Sequence, residues 1–330
     1  MLLLDVRSPS EFQKGHVPGA VSLPLFDDEE RHDVGLCYAE QGQEAAIRLG
    51  LERIGPKMAA MVAEVDRLAH GEKALEVYCW RGGMRSGSVA WLLGVAGYRV
   101  RRWEGGYKVY RRGVLQSLAE PRPYRVLTGR TGVGKTEALK TLAQSGIQVI
   151  DLEGLANHRG STFGHVGLGN QPTSEHFENL LAAALGALDS QKPIWVEDES
   201  QSIGKVWLQP SFFMHLRAAP RLEVVRSAEE RAVHLAEIYG QAPHEQLKDG
   251  FTKLTRKLGG QWIPVAHEAI DQGRLDQAAL LALRYYDQTY DHSMSKTAST
   301  VAHVLDWTGQ TEETSSKALV QAALSPTFAG

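Results

Sequence analysis

The sequence predicts an α/β protein of two domains, each built on a mainly parallel sheet, with a mostly helical C-terminal region. Three observations lead to this prediction. The chain has 330 residues, enough for two domains of ordinary size. Short apolar runs alternate with helical patterns along most of it. A segment with two prolines, residues 120–123, divides this alternation, so the predicted domains are residues 1–119 and 120–330.

The first domain begins with a short buried strand at residues 2–6. A second strand is predicted at residues 74–78, directly before Cys79, and a helix at residues 85–93. A strand at residues 98–103, a Gly105-Gly106 turn and a helix from Tyr107 complete the alternation.

The second domain begins with a strand at residues 124–128, followed by a glycine-rich loop and a helix from Lys135. Further strands are predicted at residues 147–152, 193–196 and 221–225, with a helix at residues 175–188. Residues 228–290 have a mostly helical pattern, and the tail after Gly309 gives little indication of structure.

Composition excludes several classes of protein. Hydrophobic residues make up 43% of the chain and charged residues 23%, which is typical of a folded protein. No apolar run is long enough to cross a bilayer, and no signal peptide precedes the first domain, so no membrane partner is expected. Two cysteines cannot form a disulfide framework, which predicts a cytoplasmic, reduced protein.

The loop after the second strand predicts a reactive cysteine. Cys79 is followed by two glycines and two arginines, Arg81 and Arg85, before the next helix. Glycines let the backbone N–H groups turn inward and form an anion cradle at a helix N-terminus. Such a cradle lowers the pKa of a thiol, so the predicted catalytic residues are Cys79, Arg81 and Arg85.

Residues 129–136 fit the pattern G-x-x-x-x-G-K-[ST] and lie between a predicted strand and a predicted helix, the context that supports a phosphate-binding loop. The backbone of the loop is expected to wrap a diphosphate, with a lysine charge and a hydroxyl for Mg²⁺. The predicted phosphate-binding residues are Gly129, Thr131, Gly132, Gly134, Lys135 and Thr136.

Two further segments complete the predicted site of the second domain. Acidic residues end the apolar strand at 193–196, so Mg²⁺ is expected on Thr136, with Asp198 as the first choice of carboxylate and Glu197 as the second. Residues 151–164 are rich in polar groups and glycine, and predict a substrate loop with Asp151, His158 and Arg159 as contacts.

Residues 5–12 and 15–20 resemble the N-terminal signature of the rhodanese family. The resemblance implies a rhodanese-like first domain whose Cys79 carries sulfur or selenium as a persulfide-type adduct. Five residues separate Cys79 from Arg85, a spacing that cysteine-dependent phosphatases also use. A phosphatase therefore remains an alternative for this domain, and it would need a general acid.

The whole order of motifs, from the cysteine loop through the P-loop to the acidic segment 196–200, resembles the tRNA 2-selenouridine synthases over residues 1–300. That resemblance implies a P-loop NTPase-like second domain. It also implies a transferase that replaces sulfur by selenium in wobble 2-thiouridine of tRNA. Members of the family use geranyl diphosphate in a first step and selenophosphate in a second, and no permanently bound cofactor is implied.

A basic cluster follows the cysteine loop and predicts an RNA-binding surface, although the net charge of the chain is −3. The predicted RNA-binding residues are Arg101, Arg102, Lys108, Arg111 and Arg112. Trp103, Tyr107 and Tyr110 lie among them and are candidates for stacking on unpaired bases.

Two other functions fit the same motifs. A P-loop kinase or NTPase fused to a sulfurtransferase would turn over nucleotide without RNA. A phosphate-sensing module with an inert rhodanese fold would not be an enzyme, but the presence of Cys79, Lys135 and Thr136 argues against inertness.

Overall fold

Two parallel sheets form the framework of the protein, which confirms the predicted α/β class. The computed structural model describes residues 1–295 and 301–329. The chain divides into two units: Met1–Ser117 with Glu178–Leu180, and Leu118–Phe177 with Leu181–Gly330.

The sheet of the first unit has four strands in the order β2-β1-β3-β4, and all neighbouring strands are parallel. Leu4 and Val77, on the two central strands, are fully buried, as expected where helices cover both faces of a parallel sheet. The strands are β1 (Leu2–Asp5), β2 (Val21–Ser22), β3 (Ala74–Tyr78) and β4 (Arg99–Arg102).

Six α-helices belong wholly or largely to this unit. The sequence pattern predicts the two helices that follow β3 and β4, with α5 extending slightly beyond the predicted bounds. The helices are α1 (Pro9–Lys14), α2 (Asp28–Gln41), α3 (Gln43–Ile54), α4 (Met58–Ala69), α5 (Met84–Val95) and α6 (Gly106–Ala119).

A buried ion pair joins the end of β1 to the turn that follows α1. The Arg7 guanidinium lies 2.6 Å from the Asp5 carboxylate and donates to the Gly15 carbonyl at 2.7 Å. Arg7 also lies over the Tyr107 ring, 3.8 Å from its centroid. Removing one partner of such a buried pair typically lowers the free energy of unfolding by about 3–5 kcal/mol. The Asp-Val-Arg segment of the signature therefore has a structural role here.

The sheet of the second unit has five parallel strands in the order β11-β10-β5-β7-β6. Strands β6 and β7 lie on one side of β5, and β10 and β11 lie on the other, so the strand order reverses at β5. In such open parallel sheets, ligands bind beyond the carboxyl ends of the strands at the point of reversal. A separate antiparallel pair is formed by β8 and β9. The strands are β5 (Tyr124–Thr128), β6 (Gln148–Ile150), β7 (Ile194–Glu197), β8 (Ser202–Ile203), β9 (Val206–Trp207), β10 (Arg221–Val225) and β11 (Val301–Asp306).

Helices flank this sheet and form a bundle after β10, which confirms the mostly helical region. No helix among the described residues is both long and apolar enough to span a membrane. The helices are α7 (Lys135–Gln144), α8 (Leu152–Ala156), α9 (Ser174–Gly186), α10 (Pro210–Ala218), α11 (Ala228–Tyr239), α12 (His244–Lys253), α13 (Thr255–Leu258), α14 (Trp262–Asp271), α15 (Leu275–Ser295), α16 (Glu312–Ala323) and α17 (Pro326–Ala329).

Candidate active sites

Cys79 lies directly after β3, at the carboxyl end of the first sheet. Its side chain is buried, and its Sγ lies 3.3 Å from the Ser86 hydroxyl on α5. Ser86 is itself fully buried, and its single hydroxyl hydrogen can point either to Cys79 Sγ or to the Gly83 carbonyl, which lies 3.2 Å away. The thiol therefore sits within the first turn of α5, where the helix dipole favours a negative charge.

The surroundings of Cys79 lower the pKa of its thiol. Burial acts in the opposite direction, because it disfavours the thiolate. Hydrogen bonds from the side chain and backbone N–H of Ser86 and from the backbone N–H of Arg81 outweigh burial, and the charge of Arg85 adds to them. A lowered pKa increases the fraction of thiolate, which is the nucleophilic form of cysteine.

The N-terminus of α6 fixes the backbone at Cys79. The Tyr107 N–H donates to the Cys79 carbonyl and the Lys108 N–H donates to the Trp80 carbonyl, both at 2.9 Å. The approach is close enough that a Cβ at Gly106 would lie 2.2 Å from the Cys79 carbonyl oxygen, and Gly106 has a φ of 55°. Only glycine fits both constraints.

The two arginines of the loop act in different ways. The Arg81 side chain is exposed, and this residue acts on Cys79 through its backbone N–H. Arg85 is half-buried and pairs with Glu11, with 2.5 Å between Nη1 and Oε2. Sequence reasoning did not identify Glu11 or Ser86 as part of this site.

We expect Ser86→Ala to raise the pKa of Cys79, because the variant lacks a hydrogen bond that lowers it. Alkylation of Cys79 by iodoacetamide should slow several-fold at neutral pH, and the midpoint of its pH profile should rise. The measurement is made in a Cys37→Ala background, with Ser88→Ala as the matched control on the same helix. A pH profile identical in the two serine variants contradicts the role given to Ser86.

The structure divides the predicted RNA-binding residues into two groups. Arg102, Lys108 and Arg112 are exposed. Arg101 pairs with Glu76 although its side chain remains largely exposed. Arg111 is half-buried and donates to Asn179 within the first unit, as well as pairing with Glu178.

The aromatic residues among them are less accessible than base stacking requires. Tyr107 is fully buried against Tyr78 and Arg7, so it presents no face to a base, and the stacking prediction is wrong for this residue. Trp103 and Tyr110 are half-buried. Trp80, in the cysteine loop itself, is 37% exposed and presents an accessible aromatic surface beside Cys79.

In the second unit, the predicted phosphate loop connects β5 to α7. The Lys135 ammonium donates to the Gly129 carbonyl at 3.3 Å and so lies across the loop. The Thr136 hydroxyl, in the first turn of α7, donates to Glu153 Oε2 at 3.3 Å. A positive charge and a helix N-terminus thus face the same space, which is suited to an anion.

The carboxyl groups of Glu153, Glu197 and Glu199 lie around this space, and burial is the largest cause that raises the pKa of each. Burial and repulsion from Asp151 and Glu153 raise the pKa of Glu197 to about 8. Burial also raises the pKa of Glu153, against the effect of the Lys135 charge. The pKa of Glu199 is raised by burial and by Glu153, to which it is hydrogen-bonded. At pH 7 the Glu197 carboxyl is therefore largely protonated, and a bound cation would favour its ionised form.

The carboxylates fit a hard divalent cation. Glu197 accepts from the Glu153 N–H through Oε1, whereas its buried Oε2 has no hydrogen-bond partner among the described residues. In the described part of the chain, no group of three or more acidic, histidine or cysteine side chains is arranged to hold a metal alone. Mg²⁺ commonly uses one or two carboxylates together with substrate phosphates and water, so this arrangement suits a metal that arrives with a diphosphate.

Asp198, the first choice from the sequence, has other partners. Its Oδ2 lies 2.7 Å from the buried Arg221 guanidinium and accepts from the Thr128 hydroxyl at 2.7 Å. Successive residues of a strand point to opposite faces, which separates Asp198 from Glu197. The carboxylate beside Thr136 is that of Glu153, which lies inside the predicted substrate loop but was not selected there.

The predicted substrate-loop contacts are held by the protein itself. Asp151 caps α8 by accepting from the Gly154 N–H at 2.7 Å. His158 is buried, which lowers its pKa, and its Nδ1 has no hydrogen-bond partner among the described residues. Arg159 donates to the Val166 carbonyl and lies over the Tyr239 ring. These contacts order the loop beside the carboxylates.

Comparison with known proteins identifies both parts of the chain. A family model described as a rhodanese-like domain matches residues 1–112, and one described as a tRNA 2-selenouridine synthase AAA domain matches residues 122–318. Proteins named tRNA 2-selenouridine synthase are similar over almost the full length. The relative from Sulfurovum sp. (strain NBC37-1) is 35% identical, covering 91% of this chain and 90% of that protein.

Other relatives of that name match to the same extent. The protein from Hydrogenovibrio crunogenus is 35% identical, covering 89% of each chain. The protein from Bordetella petrii is 36% identical, covering 92% of this chain and 90% of its own. With the cysteine loop and the phosphate loop both present, the chain belongs to the tRNA 2-selenouridine synthase family.

Proposed function

We propose that this protein converts wobble 2-thiouridine of tRNA into 2-selenouridine in the cytoplasm, by geranylation and then selenation. The observation that carries the proposal is that one chain combines an activated cysteine with a complete phosphate cradle. Cys79 has a lowered pKa within an anion-binding loop, and Lys135 and Thr136 face a space suited to a diphosphate. The relatives' names supply the substrate class.

The order of steps follows from leaving-group chemistry. The sulfur of a thiocarbonyl leaves poorly, because it would depart as sulfide. Alkylation with a geranyl group converts it into the better leaving group of a thiolate and makes the ring carbon more electrophilic. A transferase that exchanges sulfur for selenium therefore gains from a preceding alkylation.

The phosphate loop is the proposed site of geranyl transfer. As the bond between the allylic carbon and the diphosphate breaks, negative charge grows on the pyrophosphate. Lys135 stabilises that charge in a preorganised position. Mg²⁺, held by Thr136 with Glu153 and Glu197, would neutralise further charge on the diphosphate when bound. Raised pKa values without the metal are consistent with this, since a bound cation would favour the ionised form of each carboxyl group.

Cys79 is the proposed nucleophile of the selenation step, with selenophosphate as the donor. The Cys79 thiolate would attack the ring carbon and expel the geranylthiolate, and the selenium of selenophosphate, already at the selenide level, would then attack the same carbon and expel Cys79. Hydrolysis of the P–Se bond would release phosphate and leave 2-selenouridine, so no oxidant is needed. The N–H groups and positive charge around the loop suit an anionic donor.

The phosphatase alternative assigns the loop arginine to the substrate phosphate, but the Arg85 guanidinium already binds the Glu11 carboxylate. Nucleophilic displacement at the ring carbon needs only that the cradle stabilise the thiolate, so this pairing favours it over the phosphatase alternative.

The tRNA is proposed to contact the exposed basic residues that follow the cysteine loop. Arg102, Lys108 and Arg112 are available to phosphates, and Trp80 is available to stack on an unpaired base. All four lie in the first unit, so the reacting nucleoside would be held next to Cys79 during selenation.

The test of this function is nucleoside mass spectrometry on tRNA from cells with and without the gene for this protein. We expect 2-selenouridine to disappear on deletion, 2-thiouridine to accumulate, and a plasmid copy to restore selenium. Purified protein should also form both the geranylated and the selenated nucleoside when given tRNA, geranyl diphosphate and selenophosphate. Unchanged 2-selenouridine in the deletion strain overturns the proposal.

A further inference from the structure

The helical part of the second unit contains a cavity whose lining is almost wholly apolar, as is typical of small-molecule pockets. Side chains from α11, α12, α14 and α15, together with the loop after α8, line it. The apolar lining residues include Leu235, Leu247, Phe251, Ile270 and Ala282.

The cavity adjoins the phosphate loop. Thr131, in the middle of that loop, is one of its lining residues. Arg231 on α11 donates to the Thr131 carbonyl at 3.1 Å and forms a two-point ion pair with Asp287 on α15, at 2.9 and 2.7 Å. A second pair joins Arg130 of the loop to Asp291, at 2.7 Å. The phosphate loop and two walls of the cavity are thus held together as one site.

The backbone of the loop lies directly against the cavity wall. A Cβ at Gly132 would lie 2.9 Å from the Leu235 Cγ, and Gly132 has a φ of 80°. Leu235 itself lines the cavity. A ligand whose phosphates occupy the loop therefore has apolar space immediately beside it.

The polar groups at the rim are already satisfied by one another. The Tyr286 hydroxyl accepts from the Thr162 N–H at 3.1 Å. The hydroxyls of Tyr239 and Tyr286 both bond to the Ser161 hydroxyl. A nucleotide base placed inside would leave its ring nitrogens and exocyclic groups without partners, which is costly. A hydrocarbon chain has no such groups.

We infer that this cavity binds the hydrocarbon chain of an allylic diphosphate whose phosphates lie in the loop at residues 129–136. The inference rests on the proposed function, which makes a prenyl diphosphate the substrate of this unit. The inference adds where the hydrocarbon chain lies and which residues limit the length of that chain.

One face of α15 forms the long wall of the cavity. Leu275, Ala278, Ala279, Ala282 and Tyr286 line it at helical spacing, and Asp287 continues the helix towards the phosphate loop. Tyr286 is eleven positions after Leu275, so this wall is about 16 Å long. Ala282 lies one turn from Tyr286 and lines the cavity with a small side chain. A large residue there should close the cavity to all but the shortest chains.

The test is calorimetric binding to the full-length protein with Mg²⁺, using inorganic pyrophosphate, dimethylallyl diphosphate, geranyl diphosphate and ADP. We expect geranyl diphosphate to bind at least about tenfold more tightly than pyrophosphate, since each buried methylene adds affinity. ADP should gain no such advantage. In Ala282→Phe the advantage of geranyl diphosphate should be lost, while pyrophosphate binds as before.

Leu280→Phe is the matched control, since Leu280 lies on the same helix but does not line the cavity. If Ala282→Phe unfolds, Phe251→Ala serves instead, and the wider cavity should improve binding of farnesyl diphosphate relative to geranyl diphosphate. Equal binding of geranyl diphosphate and pyrophosphate by the wild type overturns the inference. The inference is also overturned if Ala282→Phe and Phe251→Ala both keep the wild-type preference among the diphosphates.

Failure of the proposed function has a different signature. In that case geranyl diphosphate would bind in the cavity and respond to Ala282→Phe, but no geranyl group would reach tRNA. Conversely, if Ala282→Phe and Phe251→Ala both transfer geranyl groups normally, the proposed function stands but the cavity does not bind the geranyl chain.

Discussion

Cys79→Ala should lose selenium incorporation by at least about 1,000-fold while retaining geranylation, so that geranylated tRNA accumulates. Losses of this size are typical when the reacting nucleophile of an enzyme is removed. The thiol is buried and its pKa is lowered by Ser86, Arg81 and Arg85, so no other sulfur of the chain is equivalent to it. The measurement is nucleoside analysis of tRNA incubated with geranyl diphosphate and selenophosphate.

Cys37→Ala is the matched control, because Cys37 is the other cysteine of the chain and lies on α2. It should retain full selenation, and its thermal unfolding should resemble that of Cys79→Ala. Comparable loss from both variants, or full activity in Cys79→Ala, contradicts the role of Cys79 as the nucleophile. Rapid hydrolysis of an aryl phosphate through a phosphorylated Cys79 would instead favour the phosphatase alternative.

The central part of each unit was predictable because local pattern and tertiary position agree there. Strand β5 and the start of α7 lie where the apolar run and the glycine pattern place them. The same holds for β3 and the cysteine loop. In such motifs, glycine and lysine positions are set by backbone geometry within a few residues, so the sequence contains the needed information.

Features formed by distant segments were not predictable. Strand β11 pairs with β10 although about 80 residues separate them, and it lies between residues 290 and 309, where the sequence pattern predicts no element. Arg221 and Asp198 meet across the sheet, and no local signal distinguishes this partnership from a metal site. The apolar cavity likewise depends on four helices whose individual patterns indicate only amphipathic packing.

The carboxylates of the second site show how local and tertiary information combine. The sequence placed acidic residues at the end of β7, and Glu197 does lie in the cluster. It did not indicate that Glu153, more than 40 residues earlier, would share that space with Thr136. Parallel strands bring their carboxyl ends to one edge, but which side chains face each other there depends on the twist and register of the sheet.

Lys135→Ala should reduce geranyl transfer by about 100-fold or more, because it removes charge stabilisation that grows as pyrophosphate leaves. The Lys135 ammonium lies across the phosphate loop, and nearby Glu153, Glu197 and Glu199 do not substitute for its positive charge. The assay follows transfer of a geranyl group from geranyl diphosphate to tRNA containing 2-thiouridine. Lys140→Ala, at an exposed position on the same helix, is the matched control and should transfer normally.

The two mutants should respond oppositely to a tRNA that already carries geranylthiouridine. Lys135→Ala should then regain selenation, because the blocked step has been bypassed, whereas Cys79→Ala should not. This crossed result follows only if the phosphate loop and the cysteine loop act in series with separate duties. If Lys135→Ala geranylates normally, or if the wild type requires ATP in place of geranyl diphosphate, the phosphate loop serves a nucleotide and the kinase alternative is correct.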